Sequence, residues 1–309
     1  MQTGIANHDR ILASATSWAG APMALATVIE TWRSAPCPVG THMLVNADGR
    51  FVGSVSGGCV EGDVLHVAAE VIAGAPAVLR RYGVADGAAW EVGLPCGGDI
   101  QVLIQPVSDA GFAPELFNLI IDARGKGQTL YVGTDLESGL SRVAGAAGFV
   151  NAYPPPRRLL IIGAVEIAAS LAAIAGSQGF AVTLCDPRAR FLTAERFPGV
   201  ALDDRWPDEA VAAFAPDNRS AVVTLSHDPK IDDPALIAAL SSPAAYIASL
   251  GSKASHAARL SRLAAAGVSA DSLARIEGPA GVAINAVSAP EIALSIAGGM
   301  IRAFNDGLR

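Results

Sequence analysis

The chain has 309 residues, of which 51% are hydrophobic and 17% charged, with a formal net charge of -7. That balance excludes a disordered tail protein and any broad attraction to nucleic-acid backbones or anionic lipid, while leaving room for a local basic pocket. The length suits two domains.

In chain order, residues 1–10 are polar and lack the apolar run of a secretory signal, so a cytoplasmic protein is expected. Residues 24–30 (ALATVIE) read as a strand. Strands at 41–46 and 50–55 flank Ala47, Asp48 and Gly49, a hairpin turn in which glycine takes a positive φ cheaply. The chain then passes through Ser56, Gly57, Gly58 and Cys59 into a helix. Val60, Val64, Val67 and Val71 recur on one face of it, with Glu61, Asp63, His66 and Glu70 elsewhere. Residues 77–82 and 100–105 are further strands, and 114–123 another helix. Strands and helices without strict alternation predict an α+β domain over residues 1–150.

Pro154, Pro155 and Pro156 cannot continue a helix or a central strand, which assigns residues 151–157 to a linker. Over residues 158–309 the alternation becomes regular. The apolar run at 159–162 is a strand covered on both faces, closed by Gly163. The stretch 159–175 approaches membrane-spanning length, but it holds Gly163, Glu166 and Ser170 and reads as a buried strand turning into a helix. Strands follow at 181–185, 221–225 and 246–250, with helices at 234–240 and 253–266. A last helix opens with Ser288, Ala289, Pro290 and Glu291, a capping box with proline in the first turn. The fold class is α/β: an N-terminal α+β domain followed by a Rossmann-like doubly wound parallel sheet.

The second domain opens like a dinucleotide-binding unit. Gly163 lies between strand and helix, and Asp186 ends the next strand, where an acid would hold a ribose hydroxyl. Val165, however, replaces the second glycine of G-x-G-x-x-G, and Glu166 adds negative charge where phosphates would lie. Two readings stay open: a nucleotide site, or a scaffold that binds no dinucleotide in the usual pose. Three loops fall at carboxyl ends of predicted strands, where ligands bind in open α/β sheets. They hold Asp186 and Arg188; Ser226, His227 and Asp228; and Gly251, Ser252 and Lys253. Together they suit a phosphate-bearing ligand and form no catalytic triad. Arg259 and Arg262 follow His256 at helical spacing and read as a solvated face.

The four cysteines include no C-x-x-C pair and are too few for a disulfide scaffold. Cys59 stands at a helix entrance, where the positive end of the dipole favours a thiolate, and Cys96 lies in a tight loop with Gly97 and Gly98. Either both are small core residues, or their sulfurs face a shared cavity, able to ligate a soft metal or carry transferable sulfur. Cys185 reads as packing, and Cys37, between two prolines, has no assigned purpose.

At these residues the chain resembles the XdhC/CoxI family, accessory proteins that mature molybdenum hydroxylases such as xanthine dehydrogenase. The likeness covers nearly the whole chain. It is carried by residues 40–45, by 53–61 with Gly57, Gly58, Cys59 and Glu61, and by Cys96, Gly97 and Gly98. It continues through 185–188, 227–232, 250–252, 278–281 and 290–296. The resemblance implies that the protein binds molybdenum cofactor (molybdopterin), shields it, supports its sulfuration and delivers it to an apo-hydroxylase. A cysteine desulfurase as sulfur donor and a homodimer belong to the same implication, as does the absence of catalytic residues. Cofactor contacts are expected at Ser56, Gly57, Gly58, Cys59, Glu61, Cys96, Gly97 and Gly98. In the second domain they are expected at Gly163, Asp186, Arg188, His227, Asp228, Gly251 and Ser252. Cys59 and Cys96 would stand nearest the molybdenum or the transferable sulfur.

The sequence departs from the family where Gly163, Ala164, Val165 and Glu166 replace a Gly-Ala-Gly-His turn, at Ala248, and at Gly298 and Gly299. These changes bear on the nucleotide site and leave the cysteine motifs intact. Two other functions fit the residues: an NAD(P)-dependent oxidoreductase, and a scaffold bridging sulfur donor and hydroxylase without holding the cofactor.

Overall fold

The computed structural model describes residues 5–33, 35–83, 98–143 and 148–306. The chain divides into two compact units, Met1–Pro155 and Pro156–Arg309.

The first unit is α+β. Its central sheet has the order β3-β2-β1-β5-β4, with every neighbouring pair antiparallel. These strands are β1 (Met23–Trp32), β2 (His42–Asn46), β3 (Phe51–Gly53), β4 (Val78–Tyr82) and β5 (Asp99–Pro106). Strand β1 is buried on both faces, which explains its unbroken apolar run. Ala24, Ala26 and Val28 meet Val64, Val67 and Val71 of helix α2 (Glu61–Ile72). Met23 and Leu25 pack with Ile11 of α1 (Ile5–Ser17) and with Leu116 and Ile120 of α3 (Pro114–Gly125). The alternation of β1 thus assigns each helix its side.

Helix α1 and a second, three-stranded sheet were not expected from the sequence. That sheet has the order β7-β6-β8, built from β6 (Leu130–Thr134), β7 (Ser141–Val143) and β8 (Phe149–Tyr153). Asn151 and Tyr153, assigned to the linker, end β8 in antiparallel pairing with β6. Arg157, also assigned to it, opens the next strand, so Pro154, Pro155 and Pro156 alone separate the two.

The second unit is a six-stranded sheet, all parallel, in the order β11-β10-β9-β12-β13-β14. The strands are β9 (Arg157–Ile162), β10 (Phe180–Cys185), β11 (Ala201–Asp203), β12 (Ser220–Thr224), β13 (Tyr246–Ser249) and β14 (Ile276–Glu277). Counted from β9, this is the order 3-2-1-4-5-6 of dinucleotide-binding sheets, with the switch point between β9 and β12. Leu159 and Ile161 face α4 (Glu166–Ser177) and α9 (Ala289–Asp306), while Leu160 and Ile162 face α5 (Pro207–Phe214) and α6 (Pro229–Leu240). Burial on both faces is what the continuous apolar run requires. Helix α7 (Lys253–Ala265) and the single turn α8 (Ala270–Leu273) complete the unit. Helix α6 begins five residues before its expected start, because Asp228 caps it and Pro229 takes the first turn. Among the described residues no helix is long and apolar enough to cross a membrane.

Candidate functional site

In the first unit the site is a loop closed by its own acid. Gly57 (φ 77) and Gly58 (φ 120) bend residues 54–60 so that successive backbone N–H groups converge. The carboxylate of Glu61, the first residue of α2, fills that concavity. Its Oε1 accepts Val55 N at 3.0 Å and Ser56 N at 2.9 Å, and its Oε2 accepts Gly58 N at 2.8 Å and Val60 N at 3.2 Å. The Ser54 hydroxyl donates to Oε1 and the Ser56 hydroxyl to Oε2. Ser56 Oγ in turn accepts Cys59 N and Val60 N, both at 2.9 Å. Burial opposes the charge on Glu61, but these donors outweigh it and hold the carboxyl down at about 2. Glu61 therefore braces the loop from inside, and its acceptors face the protein.

The Cys59 thiol stands exposed on this braced loop. Cys96 and Gly97 lie outside the described residues; Gly98 is buried immediately before β5. The second described thiol beside the loop is Cys37, which sequence reasoning passed over. Pro36 Cβ is 3.5 Å from where a side chain on Gly57 would begin. Cys37 is half-buried against the α2 face of the core, near the Ser54 hydroxyl and the Gly57 N–H. Burial pushes its thiol up, and the Glu61 carboxylate adds to that. Cys185 is fully buried in β10, as its apolar surroundings in sequence suggested.

In the second unit, Gly163 ends β9 at φ 107, and an added Cβ would fall 2.8 Å from Ser226 N. Glycine is what lets the turn after β9 meet the loop after β12. Asp186, fully buried at the end of β10, folds back onto this turn. Its Oδ2 accepts Ala164 N at 2.8 Å and Arg188 Nη2 at 2.7 Å; its Oδ1 accepts Arg188 N at 2.9 Å and Arg188 Nε at 2.8 Å. Four donors fill the lone-pair sites of one carboxylate. Burial opposes ionisation, and the Arg188 guanidinium with the two amides outweighs it, holding the carboxyl below the usual range. No acceptor is left for a ribose hydroxyl, and Val165, half-buried against the core, stands where the fingerprint has its second glycine. The residues present do not fit a dinucleotide in the usual pose.

Across the switch point, buried Asp232 organises the loop after β12. It accepts Ser226 Oγ at 2.7 Å, Ser226 N at 3.3 Å and His227 N at 3.1 Å. These bonds hold His227 at φ 63, a left-handed conformation that costs a side chain energy, with the imidazole exposed. Asp228 Oδ1 accepts Lys230 N at 2.9 Å and starts α6. After β13, Gly251 (φ 147) leads to Ser252, whose Oγ caps α7 by accepting Ser255 N at 3.1 Å.

Arg259 corrects the expected solvated face. It is 4% exposed, and its Nη2 donates to Leu250 O at 2.8 Å, bracing the loop after β13 from beneath. The helix turns this position toward the sheet, so spacing alone misassigned it. Arg262 is the surface partner, paired with Asp233 at 2.7 Å. Asp232 and Arg259 each turn back to the loop that precedes their own helix, a reach that the spacing of polar and apolar residues does not show.

A parallel sheet in this order, preceded by an antiparallel α+β unit with a glycine-cysteine loop, defines a two-unit protein whose second half has the Rossmann fold. The sequence profile of the XdhC Rossmann domain matches residues 159–300, and that of the XdhC and CoxI family matches residues 18–83. The chain belongs to the XdhC and CoxI family. It is 29% identical over 301 residues to the molybdenum cofactor insertion chaperone PaoD of Escherichia coli K12, covering 94% of this chain and 86% of that protein. It is 24% identical over 312 residues to a probable xanthine dehydrogenase subunit of Bacillus subtilis 168, covering 90% of this chain and 92% of that protein. A crystal structure described as a xanthine dehydrogenase from Bacillus halodurans shares the fold. Its TM-score is 0.83 at 24% identity, over 97% of this chain and 96% of that one.

Proposed function

We propose that this protein carries molybdenum cofactor to an apo-hydroxylase of the xanthine dehydrogenase type and supports sulfuration of the cofactor before insertion. The observation that carries the reading is Cys59, an exposed thiol on a loop whose shape is fixed by six hydrogen bonds to Glu61. A sulfur atom presented on a rigid bend can meet a soft metal or hold sulfane sulfur received from a cysteine desulfurase. The cofactor is cargo, and its dithiolene already holds the metal. Among the described residues no group of three or more His, Cys, Asp or Glu could cage an ion, and cargo of this kind needs no such cage. The insertion role named for PaoD supports the same reading. A homodimer, a cytoplasmic location and a non-catalytic role belong to it.

Anaerobic incubation with the cofactor, followed by gel filtration and measurement of retained pterin fluorescence, tests it. Wild type should retain the pterin, and Cys59→Ala should weaken retention or sulfur transfer. Failure of wild type to retain it would overturn the reading. The sheet order favours one second reading, an NAD(P)-dependent oxidoreductase; tight NAD(P)H binding with substrate-dependent oxidation would install it instead.

A further inference from the structure

The segment after β10 carries a feature that neither the thiol loop nor the saturated Asp186 explains. Arg188, Arg190 and Arg196 gather around Phe191, which closes the one-turn helix Ala189–Phe191. The Arg188 guanidinium carbon lies 4.7 Å from the centre of the Phe191 ring, and that of Arg190 5.0 Å. Arg196 donates to Phe191 O at 2.6 Å and to Ala164 O at 3.1 Å, so it spans this segment and the turn after β9. Arg188 is aligned by Asp186, which also cancels its charge. Arg190 has no carboxylate partner among the described residues, and Glu195 is the other acid of the segment, exposed to solvent.

In a sheet of this order the carboxyl end of the second strand is where the sugar of a bound nucleotide falls. An acid there takes a free ribose diol, and an arginine there takes a sugar phosphate. Here the acid has no acceptor left, while the arginines retain donors beyond the bonds they make. Guanidinium groups held in place by an aromatic ring and by backbone carbonyls lose little freedom on meeting an anion.

We propose that Arg188, Arg190 and Arg196 around Phe191 form a site for a ribose-borne phosphate monoester, one that discriminates against the unphosphorylated ribose. The ligand is taken as a mononucleotide-sized ester, because the turn after β9 carries Val165 in place of the second glycine of a dinucleotide fingerprint. This goes beyond the carrier reading and stands whether or not the cargo is molybdenum cofactor, because the probes contain no pterin.

The test is calorimetric titration of the full chain, in phosphate-free buffer at low salt, with adenosine 2′-monophosphate, adenosine and inorganic phosphate. The monophosphate should bind at least about tenfold tighter than adenosine, as one charge-assisted contact implies, and should be displaced by inorganic phosphate. Raising the salt should weaken it. Arg190→Ala should weaken the monophosphate about fivefold or more, and Arg190→Glu should abolish its binding. Neither should shift the melting temperature, because Arg190 makes only a ring contact. Equal affinity for adenosine and its monophosphate, binding of neither, or indifference to Arg190→Glu would overturn the proposal.

Discussion

Glu61 holds Ser56 twice: Ser56 donates its N–H to Glu61 Oε1 at 2.9 Å and its hydroxyl to Oε2 at 2.5 Å. The same hydroxyl receives Cys59 N and Val60 N, so the order of the thiol loop and the start of α2 depend on one carboxylate. An ionised acceptor serving several amides is worth more than a neutral one.

Glu61→Gln keeps the shape and removes the charge. It should destabilise the first unit by about 2–3 kcal/mol. It should also raise amide hydrogen exchange at Ser56, Gly58 and Val60 before any other part of that unit. Unchanged exchange at those three amides would show that the loop is held by something other than the carboxylate.

The first unit should also be sensitive to acid through His8. The His8 ring is 1% exposed, neither nitrogen has a hydrogen-bond partner, and its centre lies 4.8 Å from Tyr153 and 5.7 Å from His42. Burial, then the Arg124 guanidinium, lower its pKa from 6.5 to about 4, with the nearby Gly40 carbonyl opposing slightly. The unfolded chain therefore takes up the proton first as pH falls. Stability is whole above 6.5 and declines between 6.5 and about 4, by roughly 3 kcal/mol over that window. Glu61 then adds a second loss between 4.5 and about 2. Buried His42, whose pKa burial and then His8 hold well below 6.5, adds to the same decline, so His8→Leu should make the first decline in urea midpoints shallower without abolishing it, and leave the second.

The parallel half of the fold was legible because a strand buried on both faces has to be written as an unbroken apolar run. The run at 159–162, its closing Gly163 and the capping Glu291 all appear where the sequence puts them, Glu291 accepting Ser288 N at 2.9 Å. Strand β8 was hidden because five residues ahead of three prolines resemble the start of a spacer. The resemblance put cofactor contacts at Ser56, Gly57, Gly58 and Glu61, but the sequence does not show that the Glu61 carboxylate fills the concavity of that loop. A motif records which amides converge and says nothing of which acid reaches them. Asp232 and Arg259 were illegible for a related reason: helical spacing does not show which backbone groups of the adjoining loop a polar side chain turns back to hold.

Arg259 and Arg262 provide a direct contrast on one helix. Arg259 is buried and holds Leu250 O; Arg262 pairs with Asp233 at the surface. Arg259→Ala should cost about 2–4 kcal/mol, because it leaves Leu250 O without its donor and Asp232 without a nearby cation. Arg262→Ala should cost at most about 1 kcal/mol. Urea unfolding of the two variants side by side checks this, and equal costs would contradict the assigned burial.

Thiol reactivity should rank by exposure. Cys59 is exposed, Cys37 half-buried with its thiol pushed up by burial, and Cys185 buried with its thiol pushed up to about 12. Since the thiolate is the reacting form, iodoacetamide at pH 8 should modify Cys59 first, Cys37 more slowly, and Cys185 only as the chain unfolds. Peptide mass spectrometry over time resolves the three. The Glu61→Gln variant sharpens the test, because the carboxylate beside Cys37 disfavours its thiolate. Removing that charge should speed modification of Cys37, whereas a Cys37 rate that stays fixed would mean that burial alone protects it.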